Sequence, residues 1–186
     1  MDTKKIIRAV GSGFAGFLVL LCAEGVFLLA LSSSFDLFGG SHIPVLIWFL
    51  LTILIPPLVI LASALPAIII SGDKKTSLIS GIIACIFVVI IFIQPFEESR
   101  GVFDVTESLA FITAIGFSML MSSFQPAKGR KKRMVIILVV WVVFSILGLV
   151  IASLSQIGGG LTVLLAWLVL PAIAAHLQSE IDIFSG

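Results

Sequence analysis

Residues 134–154, "MVIILVVWVVFSILGLVIASL", run for 21 positions without one charged side chain. A helix rises about 1.5 Å per residue, so such a run matches the roughly 30 Å hydrocarbon layer of a bilayer. Five more long apolar runs follow from the same reading, at about 9–32, 44–71, 78–96, 106–124 and 160–178, with one acid each in the first and fourth spans. Inside lipid no water is present to satisfy backbone N–H and C=O groups, so each run must close its own hydrogen bonds as a helix. The expectation is an all-α, polytopic membrane protein: one transmembrane domain, residues 1–186, with six spans. Composition agrees, at 60% hydrophobic and 11% charged residues, where soluble domains approach about a quarter charged.

The connections, "SSFDLFGGSH", "GDKKT", "FEESRGVFD", "QPAKGRKKR" and "SQIGG", are short and rich in charge or turn formers. Ten of the eleven basic residues fall at the N-terminus, between spans 2 and 3, or between spans 4 and 5. Only Arg100 lies opposite, among Glu97, Glu98, Asp104 and Glu107. Lys and Arg are retained on the cytoplasmic side, so both termini are expected there, and that alternation requires an even number of spans. Asp104 and Glu107 read as a capping box opening span 4. The N-terminus imitates a secretory signal, but Leu21 before Cys22 and the apolar sequence continuing to Leu31 favour an uncleaved first span. Cys22 and Cys85 both fall within spans and read as small packing residues. "LPAI" occurs twice, at 65–68 and 170–173, in two spans of the same direction.

Within span 1 the stretch "LLCAEGVFLLA" holds one acid, Glu24. A charge deep in a bilayer costs on the order of 3 kcal/mol, so Glu24 must be neutral or paired. No Lys, Arg or His shares its expected depth. Thr52, Thr113 and Ser145 supply hydroxyls, and Pro56 with Pro57 frees helix carbonyls in span 2. Glu24, Thr52, Pro56 and Thr113 thus form a candidate ligand or ion site. The alternative is a protonated Glu24 bonded to one neighbour as helix glue. Span 2 would extend about 42 Å if straight, and the proline pair favours a kink at Pro56-Pro57.

Two small-residue seams suit close helix approach. Gly13 and Gly16 share a face of span 1 with Glu24; Ala110, Ala114, Ser118 and Ser122 repeat every fourth position in span 4, with span 1 as the natural partner. Lys128, Arg130, Lys131, Lys132 and Arg133 form a basic cluster that fits a topology signal, anionic lipid headgroups or an acidic partner, and not nucleic acid.

Enzyme and cofactor readings fail on residues. "GFSM" at 116–119 with His176 resembles the serine and histidine of rhomboid proteases but lacks the second glycine. "EESR" at 97–100 resembles the EExxxR of membrane CAAX-type proteases, but with the arginine misplaced and no downstream histidines. His42 and His176 map to opposite sides, so they do not share a haem. No Walker A, CxxC or GxGxxG pattern occurs. No cofactor or metal is expected.

In size, span count and cytoplasmic termini the chain resembles the substrate-capturing subunits of energy-coupling-factor vitamin transporters, with "AVGSG" and "GSGFA", residues 9–15, in the place of their span 1 small-residue motif. No ligand motif carries over. Two functions are expected: a small subunit of a larger, transport-related membrane complex, or a stand-alone transporter or capture protein using Glu24 and a broken span 2. A prokaryotic plasma membrane suits both.

Overall fold

The computed structural model describes the backbone over residues 3–38, 45–92, 105–124 and 129–184, and side chains over 3–22, 25, 57–86, 105–124 and 129–179. Among the described residues there are six helices and no strand: α1 (Thr3–Phe38), α2 (Val45–Ser71), α3 (Lys74–Phe92), α4 (Val105–Ser122), α5 (Arg130–Leu154) and α6 (Gln156–Phe184). Four stretches are long and apolar enough to cross a membrane: Thr3–Cys22, Val105–Ser122, Arg130–Leu154 and Gln156–Ser179. In α2 the described apolar stretch, Pro57–Ser71, is shorter.

The α2–α3 and α5–α6 turns are built by residues suited to reverse the chain. Gly72, at φ 70°, ends α2 with its N–H on the Ile68 carbonyl at 2.9 Å, a left-handed position where glycine carries no Cβ penalty. Asp73 then opens α3, accepting the Lys75 N–H at 3.0 Å and the Thr76 hydroxyl. Between α5 and α6 the expected "SQIGG" loop contracts to Ser155 alone. Its N–H closes α5 on Ile151, and its hydroxyl accepts the Gly158 N–H at 3.3 Å, capping α6.

Successive helices pack as hairpins, α6 closes on α1, and α2, α4 and α6 also touch one another. The even-numbered helices therefore form an inner triangle, and the odd-numbered ones lie outside it. Among the described residues no odd-numbered helix touches another. Small side chains explain the division: Ala62, Ala67, Ala110, Ala114, Ala166, Ala174 and Ala175 are buried on the inner helices and let them approach closely. α5, rich in Val, Ile and Leu, buries four of its 25 residues, against ten of 18 in α4.

Several expectations change. Residues 33–38, read as loop, continue α1, because no glycine or proline interrupts the chain before Gly39. Helices α3, α5 and α6 begin four residues before the apolar runs at 78, 134 and 160. Hydropathy marks what lipid tolerates, whereas a helix extends as far as its capping permits. α2 is one continuous helix across Pro56-Pro57, so span 2 is not broken. The two seams do not meet, since α1 makes no contact with α4 among the described residues; α2 and α6 lie between them.

Candidate functional site

The centre of the bundle is Trp167, fully buried on α6, with its indole N–H donating to the Phe111 carbonyl of α4 at 3.1 Å. Two glycines of α1 press on it. A Cβ on Gly13 would stand 2.0 Å from the Trp167 carbonyl oxygen, and one on Gly16 would stand 2.6 Å from the indole ring and 2.8 Å from the Ala62 carbonyl oxygen of α2. Both oxygens lack their helical donor for the same reason. The carbonyl of residue i accepts from the N–H of i+4, and residue i+4 is Pro171 for Trp167 and Pro66 for Ala62. Proline has no N–H, so each "LPAI" leaves one bare carbonyl, and α1 seats Gly13 and Gly16 against the two. Glycine Cα–H groups can approach them there as weak donors.

Toward the end where α2 turns into α3, buried hydroxyls link three helices. Ser118 (α4) donates to the Ser63 carbonyl (α2) at 2.5 Å and lies 3.4 Å from the Ser80 hydroxyl (α3). Ser63 and Ser80 are anchored to Val59 and Ser77 carbonyls at 2.8 and 2.7 Å. These hydroxyls hold helices together and offer no acid or base. Among the described residues no group of three His, Cys, Asp or Glu side chains could hold a metal ion.

The basic cluster divides. Arg130, Lys131 and Lys132 are exposed, but Arg133 is 2% exposed and donates to the Ser123 carbonyl at 2.9 Å. Arg133 is thus no surface docking residue: its guanidinium sits at the C-terminus of α4, where the helix dipole is negative. Lys128 lies outside the described residues. Gly129, at φ 67°, carries the chain into α5 without a side-chain cap. At the neighbouring turn the Thr76 hydroxyl, ahead of the Lys75 and Thr76 amides, holds the Asp73 carboxyl below the ordinary carboxylate range, against an opposing push from partial burial.

For the candidate ligand site, the side chains of Glu24, Thr52 and Pro56 lie outside the described residues, though their helical positions do not. The register can be counted. Gly16 stands against Ala62 across the antiparallel α1–α2 pair, which places Glu24, eight residues on, level with Leu54. Ser118 meets Ser63 across the parallel α2–α4 pair, which places Glu107 level with Thr52, and half-buried Thr113 level with Leu58. Thr113 therefore lies about 9 Å deeper than Thr52, while Glu107, read at first only as a cap, shares the level of Glu24 and Thr52. The expected seam residues face inward: Gly13 and Gly16 as described, and Ala110, Ala114 and Ser118 fully or nearly fully buried. Among the described residues of α1, Gly11 and Ala15 are small and exposed.

No protein-family model matches the chain, and neither a curated protein nor a solved structure matches it. Sequence reasoning missed Trp167 as the hub and Ser63 and Ser80 as partners of Ser118. The repeated "LPAI" was the available signal, because a proline at i+4 marks a bare carbonyl before any packing is known.

Proposed function

We propose that the chain is a six-span, non-catalytic subunit of a larger, transport-related membrane assembly, with both termini cytoplasmic and a prokaryotic plasma membrane as its site. The observation that supports this most is the filled interior: Trp167, Phe111, Ile112, Ile115, Met119 and Leu20 are almost wholly inaccessible. They separate the serine-rich end from the level of Glu24 and Glu107. A bundle whose axis is closed by packed side chains and by glycine-to-carbonyl contact carries solute at a boundary with neighbours, not through itself. The seams on α1 and α4 hold this bundle together, and α1 keeps Gly11 and Ala15 on its outer face for another helix. The test is solubilisation of native membrane in mild detergent and capture of the chain by a C-terminal tag. Stoichiometric membrane partners are expected, and their loss on Gly11→Leu/Ala15→Leu; a lone chain in every detergent overturns the reading.

A second reading, capture of a cationic or polar ligand, is favoured by one observation: Glu24, Thr52 and Glu107 occupy one level on three helices, beside the Thr52 and Ile53 carbonyls, whose helical donors Pro56 and Pro57 lack. It predicts a ligand-dependent or pH-dependent rise in melting temperature of the isolated chain that Glu24→Gln abolishes.

A further inference from the structure

The four cations at the start of α5, Arg130 to Arg133, stand at the positive end of that helix dipole, an unfavourable place for them. The first turn holds no acid, and Gly129 provides no side-chain cap. The otherwise similar start of α3, with Lys74 and Lys75, is preceded by Asp73, whose carboxylate caps it. Counted across the antiparallel α5–α6 pair from Ser155, the helix positions of Glu180 and Asp182 lie level with Arg130. Two carboxylates at that level leave the three exposed cations Arg130, Lys131 and Lys132 in excess.

A second feature continues from the same turn. Lys131 and Lys132 are exposed, and the helical stripe above them, Val135, Leu138, Val139 and Val142, is 44 to 59% exposed. No other described helix covers that stripe. Arg133, folded under α4, fixes the turn so that its three neighbours stay at the surface. An anion bound here must therefore satisfy a cluster of cations at one end and an apolar ridge along its length.

We propose that this face of α5 seats an anionic phospholipid, with the headgroup phosphate against Arg130, Lys131 and Lys132 and an acyl chain along Val135, Leu138 and Val142. The assignment rests on membrane embedding but not on the partners or the orientation proposed above.

Native mass spectrometry of the full chain, released from micelles containing equal phosphatidylglycerol and phosphatidylcholine, tests it. Phosphatidylglycerol is retained preferentially, Lys131→Gln/Lys132→Gln weakens that retention about fivefold per lysine, and Lys74→Gln/Lys75→Gln leaves it intact. Equal retention of the two lipids overturns the proposal, as does equal weakening by both double variants, which would mean diffuse surface charge. Displacement of the lipid by millimolar inorganic phosphate would mean a free-anion site and also overturns it. So does a gain in retention on Glu180→Gln/Asp182→Asn as large as the loss from the lysine pair, which would mean the chain neutralises these cations itself. None of these outcomes alters the co-purification result, so the two readings fail separately.

Discussion

At the residue scale the firmest consequences concern glycine. Gly13 and Gly11 lie two positions apart in one helix and should respond oppositely to the same change. A Cβ at Gly13 meets a backbone oxygen at 2.0 Å, while one at Gly11 meets nothing within 4 Å. Gly13→Ala must push α1 off α6 and should destabilise by about 1–3 kcal/mol; Gly11→Ala should be neutral or stabilise by up to about 1 kcal/mol through helix propensity. Thermal melts of the two variants in detergent check both. Trp167→Phe keeps a ring but removes the donor to Phe111 and part of the core volume, so a loss of about 1–3 kcal/mol is expected in the same assay. The glycines were legible in the sequence as a close-packing face. What they pack on was not, because a carbonyl bared by proline acquires meaning only when another helix is brought to it.

Helices in this chain are decided at their ends more than along their length, since nearly every interior is apolar. Asp73 makes the point at α3. Its carboxyl is held below the ordinary range by Thr76 and the first amides of the helix. A depressed folded-state value contributes stability above the unfolded carboxylate pKa of about 3.9, and that contribution fades as pH falls through the depressed value. Asp73→Asn should therefore lower the melting temperature at pH 7 and leave it nearly unchanged under strongly acidic conditions, as a pH series of melts would show. Arg133 makes the same point at α4, closing a helix C-terminus from the next helix in the chain. Arg133→Met should loosen the α4–α5 turn, with faster proteolysis between Phe124 and Arg130 as the readout. Composition placed Arg133 among solvated cations because a basic run gives no indication which member turns inward; the register of α5 against α4 does.

For the whole molecule, the alternation of inner and outer helices carries a direct test. Cysteines introduced at Val142 and Ile146 of α5 should react with a lipid-phase maleimide, and those at Ala114 and Ala166 should not, because the former are exposed and the latter fully buried. Equal labelling would mean a different helix order. The site candidates separate by the same geometry. Counting along the helices sets the position of Glu24 near that of Thr52, whereas the level of Thr113 depends on where α4 begins relative to α2, an offset set by contacts such as Ser118 with Ser63.

The sequence alone determined that the chain is helical and suited to lipid, because a backbone without water has no other way to close its hydrogen bonds over long apolar runs. It also placed the turns around Gly72, Gly129 and Ser155 to within a few residues, while the exact helix ends shifted with capping. Only the tertiary structure decided which helices are central, since lipid and protein interiors are equally apolar and hydropathy cannot tell a face that meets one from a face that meets the other. That choice turned on shape: three helices with small side chains could close around Trp167, and the large aliphatic residues of α5 were left facing outward.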